Sequence, residues 1–584
     1  MKRAGNLKAV ASYVVVIMLS FAFLIMYLSY MRILHPEVIY MDSLRFLNYF
    51  DLSEQGKRPL ILSWNQNEHR GLAPQILIYL NAKYFGLNAY RSSLLSGPII
   101  AILGSVICLE YFRDRRLANN EVGWLNFVLF SAFCFFLLFS LANWEIYSLD
   151  LGVVLFGKNL AFISYWVLIA HFLNREYFSG WKFALLLIAG PTIVLLIGFG
   201  WSYSFVATSI FCIFIYTQGK LGKSHFLLIA SLLLGVAIYI VGGYLVSSDR
   251  VSVFALGKEP SWGNAIVSVF YAVFSAFVGV ETSQSLGISN GFKVVSSFIF
   301  LCVVAWVALD LILRRRKVPF LPVALIFYSG LHILSLAYAR GRYDPAMSAA
   351  PRYYLDISLL VLGVVWALIV SSRDDSSGWL ARNLKIAIAL FISFAFLAGQ
   401  SFTSFDEWKK APYRHDAFLH MKALTLFGLT SKSDAALFQN RFVVVQKGIE
   451  IQREYGIGPY RYVSCLSPAY GKGWFGADSG SGRWMGMDAV ASVKNCGENL
   501  VVHAHLPAGW PERNISIKVS DDVYVKRMVP GGGVTFNIPT QSLGKYFYLH
   551  ISVDKVTIPA DLEKGNKDQR QLGAYIVSSM SEKK

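Results

Sequence analysis

The 584-residue chain is 55% hydrophobic and only 15% charged, with a formal net charge of +18. A soluble protein carries roughly a quarter charged residues, so the composition excludes an ordinary soluble domain and points to an integral membrane protein. No long basic stretch is interleaved with aromatics, so nucleic acid is not an expected partner, and the surplus Lys and Arg read as loop charge facing the cytoplasm.

In chain order, Met1-Lys2-Arg3 and Lys8 precede an apolar run at 9–31. The run is too long for a signal-peptide core and no small-x-small cleavage site follows it. It therefore reads as an uncleaved signal anchor with a cytoplasmic N-terminus. Further apolar runs lie near 92–111, 122–142, 150–173, 182–199, 201–217, 225–246, 292–313, 318–338, 353–371 and 383–400, about the length a membrane span requires. Two more, near 72–88 and 263–281, are ambiguous. Basic clusters decide between the topologies: Arg113, Arg115 and Arg116; Arg175 with Lys182; Lys220 with Lys223; Arg314-Arg315-Arg316-Lys317; and Arg373, Arg382 and Lys385. All five fall on the cytoplasmic side only if the two ambiguous runs lie at the outer interface instead of spanning. The expectation is eleven spans, with loops 32–91, 143–149, 247–291 and 339–352, and everything after about 401, on the outer side.

Beyond residue 401 the hydropathy collapses. Residues 403–455 read as mixed polar helix. Alternating stretches such as 500–506 and 546–551, separated by turns such as Pro530-Gly531-Gly532-Gly533, predict an antiparallel β-sandwich. The expected organisation is a membrane domain over 1–400, whose first outer loop is 32–91, a helical connector over 401–459 and a periplasmic β-sandwich over 460–584. Cys108, Cys134, Cys212 and Cys302 fall in apolar runs and are expected to be inert core residues. Cys465 and Cys496 lie in the polar part and are a candidate disulfide if that part is outside the cytoplasm.

Three polar concentrations interrupt the apolar chain. The first outer loop holds Asp42, Trp64, Asn65 and the tetrad Asn67-Glu68-His69-Arg70. A carboxylate such as Asp42 or Glu68 can take a proton from an attacking hydroxyl, while Arg70 and His69 can hold phosphate oxygens. The second loop carries Trp144, Glu145, Tyr147 and Asp150, with Lys158 and Asn159 inside the following span. An ionisable group within a span is costly and normally faces a polar cavity. Glu145 is a candidate to orient an acceptor or hold a metal. His332, buried in its span, reads as a satisfied core histidine. The third concentration places Arg340, Arg342 and Arg352, with Tyr353, on one outer loop, where arginines run against the positive-inside bias. A phosphate at headgroup depth would find its cations there. The chain has no P-loop pattern, no paired Cys or His-x-x-x-His metal spacing, and no matched pair of broken hydrophobic segments.

These features resemble the bacterial GT-C glycosyltransferases: a signal-anchor helix, a large outer first loop with an early acid, about a dozen spans and an external β domain. The Asn67-Glu68-His69-Arg70 tetrad and the Ala339-Arg340, Ala346 and Pro351-Arg352-Tyr353 segment resemble one group of such proteins. Gly473-Trp474-Phe475, Arg483-Trp484-Met485-Gly486 and Asp568-Gln569-Arg570-Gln571-Leu572-Gly573 are similar to stretches of the β modules that follow such cores. The resemblance implies an inverting transfer of a sugar from a polyprenyl-phosphate donor to a glycan, lipid or protein acceptor, at the outer face of the bacterial inner membrane. It implies Asp42 or Glu68 as base, and Arg70, His69, Arg340, Arg342 and Arg352 on the donor phosphate. Trp64, Asn67, Trp144, Glu145, Lys158 and Tyr353 would contact substrate. No cofactor is required, and a divalent cation is compatible with this chemistry but not indicated. The family's usual acid pair is a single acid here, Met41-Asp42-Ser43, and Pro351 stands where relatives carry Ser. A lipid-linked oligosaccharide polymerase or ligase, and a non-catalytic flippase or binding protein, remain alternatives.

Overall fold

The computed structural model describes residues 2–57, 71–117, 124–174, 180–246, 259–314, 319–372, 379–429, 431–465, 468–476, 482–562 and 566–582. The chain divides into two compact units. The first comprises Met1–Pro36, Leu52–Ile78 and Ala89–His415; the second comprises Glu37–Asp51, Tyr79–Asn88 and Asp416–Lys584.

The first unit is helical. After α1 (Lys2–Leu34) come the first-loop helices α2 (Ser43–Glu54), which belongs mainly to the second unit, α3 (Leu72–Phe85) and α4 (Ala89–Leu94). Then follow α5 (Ser96–Leu117), α6 (Trp124–Leu138), the short α7 (Trp144–Ser148), α8 (Gly152–Leu173), α9 (Gly180–Ile197), α10 (Phe199–Thr217) and α11 (Lys223–Val246). Two shorter helices, α12 (Trp262–Phe277) and α13 (Val280–Ser285), precede α14 (Asn290–Arg314), α15 (Phe320–Leu336), α16 (Tyr354–Ser371) and α17 (Trp379–Phe427). Among the described residues, eleven helices are long and apolar enough to cross a membrane, the architecture of a multi-pass membrane protein. They coincide with the eleven apolar runs of the sequence. The two ambiguous runs form the 14-residue α3 and the 16-residue α12, both short of the roughly 20 residues a span needs. At 49 residues, α17 is about 74 Å long by helical rise, so only its apolar first part is span.

The most buried helix is α16, with 89% of its apolar window inside the bundle, against 17–22% for α1, α9, α11 and α14. Helices apolar on all sides fit both positions, since lipid and core are equally apolar. Gly363 lets α16 approach α15 closely; a Cβ there would lie 2.9 Å from Ile326 Cγ1 and 3.0 Å from Pro322 O. Cys108, Cys134 and Cys212 are buried, but Cys302 is exposed on α14. The expectation of a core residue fails there because its apolar run faces outward instead of into the bundle. If all eleven helices cross, alternation brings residues 139–151, 262–289, 337–353 and 401–415 to one end of the bundle. The Glu110–Arg113 pair and the Asp310–Lys385 pair, 2.9 Å apart, lie toward the other.

Among its described residues the second unit carries α18 (Lys432–Leu437), α19 (Phe442–Tyr455) and nine strands: β1 (Ala469–Tyr470), β2 (Arg483–Trp484), β3 (Asp488–Lys494), β4 (Gly497–His505), β5 (Arg513–Val519), β6 (Asp522–Met528), β7 (Gly533–Pro539), β8 (Tyr546–Val553) and β9 (Tyr575–Glu582). They form two antiparallel sheets, β1-β3-β8-β5-β6 and β2-β9-β4-β7. Alternate residues of both sheets, among them Val502, Ile517, Phe536 and Leu549, share one apolar core, the period-2 pattern of half-buried strands. Cys465 and Cys496 are joined by a disulfide with Cα atoms 5.8 Å apart.

Three sequence motifs meet in this unit. Gly486 N–H donates to Gly473 O at 2.8 Å, and Gly573 N–H to Met485 O at 2.6 Å. Gly473 has φ +86°, and a Cβ there would fall 1.7 Å from Asp488 O, so only glycine fits. Their conjunction is structural: they tie the segments entering β3 and β9 together. Residues of the first loop and of the helical connector belong to this unit rather than forming a separate piece. Met41 N–H donates to Phe438 O at 2.9 Å, Gly458 N–H to Gly86 O at 2.9 Å, and Tyr455 Oη to Asp51 Oδ1 at 3.0 Å.

Candidate functional site at one end of the helix bundle

Two short segments between apolar helices build the core of the site. Residues 337–341 continue α15 as a π turn and residues 351–353 lead into α16 as a 3-10 turn. Such departures from the α-helix recur at functional positions. They are pinned by α12: Ser261 N–H donates to Arg342 O at 2.8 Å, and Ser348 Oγ donates to Ser268 O at 2.8 Å.

Glu145, buried at 4% exposure, accepts two hydrogen bonds from Arg352. One comes from the guanidinium Nη1 at 3.1 Å and one from the backbone N–H at 3.2 Å. A carboxylate holding both backbone and side chain of one arginine fixes the direction of the guanidinium. The Arg352 side chain remains 37% exposed. Arg342 is half-buried between the rings of Tyr338 and Tyr343, at 4.6 and 5.0 Å. Arg340 closes the π turn.

Beside them, α17 contributes Asp406, Glu407, Lys410 and Arg414. Arg414 bridges Glu407 at 2.8 Å and Glu281 at 2.7 Å, and its guanidinium lies 3.3 Å from the centre of the Trp144 ring. Lys410 pairs with Asp406 at 2.7 Å. A cavity of about 10 Å³ lined by Trp144, Glu281, Tyr354, Thr403 and Glu407 lies between these groups, room for about one water.

One turn deeper, Lys158 Nζ is 2.6 Å from both carboxylate oxygens of Asp356, and Tyr328 Oη donates to Asp356 Oδ1 at 2.9 Å. The ammonium also lies 4.4 Å from the centre of the Trp201 ring. Lys158 therefore does not face an open cavity: it is 1% exposed and held by Asp356. His332 is buried, but both ring nitrogens lack a hydrogen-bond partner among the described residues, and the closest acid oxygen, Asp356 Oδ2, is 3.7 Å away. The sequence reading of a satisfied histidine does not hold, because the Lys158 ammonium and Tyr328 hydroxyl take the Asp356 oxygens.

The other sequence candidates distribute as follows. Trp144, Glu145, Lys158, Arg340, Arg342, Arg352 and Tyr353 all belong to the first unit. Trp144 presents a face to Arg414, and Tyr353 packs edge-on to His332 at 6.2 Å. Asp42 belongs to the second unit, at the start of α2, where it pairs with Arg45 at 3.5 Å and its side chain is 39% exposed. Met41 before it has φ +55°, an uncommon conformation for a residue with a side chain. Asn440 Nδ2 donates to Met41 O at 2.7 Å and holds that turn. Trp64, Asn67, Glu68, His69 and Arg70 lie outside the described residues.

Sequence reading missed Asp356, Tyr328, Trp201, Glu281, Glu407 and Arg414. Two signals were present. An ionisable Lys158 inside a span calls for a partner at similar depth, and Asp356 is the acid in the first turn of the most buried helix. Glu407 and Arg414 stand seven residues apart, two turns along one helix face. No protein-family model, no curated protein and no solved structure matches the chain.

Proposed function

We propose that the protein is an inverting GT-C glycosyltransferase. It would move a sugar from a polyprenyl-phosphate carrier to an envelope glycan, lipid or protein at the periplasmic face of the bacterial inner membrane. In this reading the eleven helices are a GT-C bundle, the N-terminus is cytoplasmic, and the two sheets are a periplasmic β-sandwich. The observation that carries it is the Glu145–Arg352 pair beside Arg340 and Arg342. Three arginines within thirteen residues lie between two apolar spans, and one of them is aimed by a buried carboxylate while still reachable from solvent. A lipid-linked phosphate at headgroup depth is the anion such a group suits.

In the proposed step, Asp42 or Glu68 takes the proton of the acceptor hydroxyl. The acceptor oxygen bonds to the anomeric carbon as the carbon–oxygen bond to the carrier phosphate breaks. Arg70, His69, Arg340, Arg342 and Arg352 stabilise the charge that develops on the departing phosphate, commonly the largest catalytic term. Trp64, Asn67 and Tyr353 contact substrate. Trp144, Glu145 and Lys158, engaged with Arg414, Arg352 and Asp356, act as positioning residues.

The test is transfer from a polyprenyl-phosphate sugar by the purified chain. Arg352→Ala is expected to lower turnover about 100-fold, the scale of removing one transition-state donor, and Asp42→Asn to abolish it if Asp42 is the base. A folded Asp42→Asn protein with near wild-type turnover would remove Asp42 from that role. Full turnover in the triple variant Arg340→Ala, Arg342→Ala, Arg352→Ala would remove the phosphate reading altogether.

A further inference from the structure

The second unit holds a cleft that the proposed transfer does not use. It encloses about 1030 Å³ between α19 and the outward face of the five-stranded sheet, at the upper end of the range of small-molecule sites. The pleat builds its floor. Ile515, Ile517, Leu549 and Ile551 point into the apolar core, so Ser516 and Lys518 of β5 and Tyr548, His550 and Ser552 of β8 point the other way. Lys518 stands directly opposite His550 in the strand register, and Ser516 opposite Ser552. On the facing wall α19 buries Val445, Ile449 and Ile451 and turns Lys447, Glu450 and Glu454 toward the cleft, positions recurring at helical spacing.

One end is closed by a linked group. The Arg453 guanidinium lies 5.8 Å from the Tyr548 ring, Tyr548 Oη is 3.0 Å from Tyr460 Oη, and Lys545 Nζ donates to Tyr455 O at 3.0 Å. The floor is different. Lys518 and His550 form no hydrogen bond or ion pair among the described residues, and two basic groups face each other across the strands. Partial burial, and then Lys518, hold the His550 ring below the usual imidazole range, so near neutral pH it offers one donor and one acceptor nitrogen.

The floor chemistry selects among ligands. Across the Lys518–His550 floor, β8 residues 549–552 are paired on one side by β3 and on the other by β5, and β5 is paired in turn by β6, so that part of the floor offers no backbone edge for an added peptide strand. The lining instead offers hydroxyls, a neutral imidazole, carboxylates that accept from hydroxyl groups, and an ammonium without an anion. We propose that this cleft binds an anionic saccharide, whose carboxylate or phosphate is taken by Lys518 and whose hydroxyls are met by His550, Ser516, Ser552 and the acids of α19. The cleft lies wholly within the second unit, and the proposal stands whether or not the bundle is a glycosyltransferase.

The experiment is calorimetric titration of the full chain in detergent with trigalacturonate, maltotriose, inorganic phosphate and a short polyglutamate peptide. Trigalacturonate is expected to bind, with maltotriose and phosphate each weaker by about tenfold or more, a difference of roughly 1.4 kcal/mol. Lys518→Gln and His550→Gln, both at exposed positions, are each expected to weaken trigalacturonate by a similar factor. Lys447→Gln on α19 supplies a variant outside the sheet, expected to weaken it less. The proposal is overturned if trigalacturonate does not bind. Equal binding of maltotriose or of phosphate, tighter binding of the peptide, or unchanged affinity in the floor variants would overturn it equally.

Discussion

Lys158 and Asp356, 198 residues apart in the sequence, form an ion pair at 2.6 Å inside the apolar bundle. The pair does not stand alone. Glu145 precedes Lys158 by thirteen residues and Arg352 precedes Asp356 by four, so the Glu145–Arg352 and Lys158–Asp356 pairs fasten the same two segments at successive depths. The geometry of the mouth, and with it the direction of Arg352, therefore depends on a charge pair buried below it.

Removing one partner of a buried pair leaves a charge without its counter-ion and costs about 3–5 kcal/mol, whereas replacing both by apolar residues of similar volume is often neutral. Lys158→Met alone is expected to lower the thermal midpoint of the purified protein sharply. The double variant Lys158→Met, Asp356→Leu should recover most of it. Tyr328 and His332 adjoin Asp356, so recovery will be incomplete by the value of the lost Tyr328 bond, about 1 kcal/mol. A loss in the double variant equal to the sum of the losses in Lys158→Met and Asp356→Leu alone would show that the pair contributes nothing as a pair.

A charge swap separates positioning from chemistry at the mouth. Glu145→Arg with Arg352→Glu keeps opposite charges facing each other. Stability is expected to return toward wild type relative to either single change, each of which costs about 2–4 kcal/mol by leaving a buried or half-buried charge unpaired. Sugar transfer from a polyprenyl-phosphate donor is expected to stay low, because a glutamate in place of Arg352 repels the phosphate. Melting curves and turnover on the same preparations check both halves. Recovery of turnover with the swap would reduce Arg352 to a structural role.

Much of the membrane architecture was legible because its signal is local. A run of apolar residues reports a helix without any knowledge of its neighbours, whereas the runs at 72–88 and 263–281 were ambiguous by apolar content and were set apart only through the basic clusters. The strands at 497–505 and 546–553 were legible for the same reason, from their alternation and bounding turns. Pairings were not. Nothing near Lys158 announces Asp356, and Glu281 meets Arg414 only because α13 and α17 come together at one end of the bundle. Cys302 shows the limit of composition: an apolar run says that a helix avoids water, not which of its faces meets lipid. Asp42 and the arginines belong to different compact units, a division that charge and hydropathy do not encode.

The disulfide gives a compartment test. Cys465 and Cys496 are 31 residues apart, and closing such a loop contributes about 3.5 kcal/mol in the chain-entropy account. Disulfides persist outside the reducing cytoplasm. In intact cells a thiol-alkylating reagent is therefore expected to leave both cysteines unlabelled until a reductant is added. The variant Cys465→Ser, Cys496→Ser should be less stable by about that amount and more readily cut by protease in the strand-rich unit. Labelling of both without reductant would place this unit in a reducing compartment and remove the periplasmic reading.

Arg513 carries a comparable weight in the strand-rich unit. At 2% exposure it is buried and forms no ion pair among the described residues; burial pulls its pKa below the usual guanidinium range, opposed by the nearby Asp554 charge. Its Nη1 donates to the carbonyl oxygens of Lys555 at 3.1 Å, Leu572 at 3.1 Å and Gly573 at 2.6 Å, while Nη2 donates to Thr557 Oγ1. One planar fork thus joins the start of β5 to the two segments that lead out of β8 and into β9. A lysine has a single ammonium on a flexible stem and cannot reproduce the fan of donors. Arg513→Lys is expected to cost about 2–4 kcal/mol, since several buried carbonyls lose a charge-assisted bond together. Thermal melting of the full chain should show the loss. Limited proteolysis should show new cleavage between 554 and 574, where the freed segments lie, while α19 and the helices of the bundle keep their wild-type pattern. An unchanged midpoint would mean that water replaces the guanidinium at little cost, and that the strand pairing alone holds β9 in place.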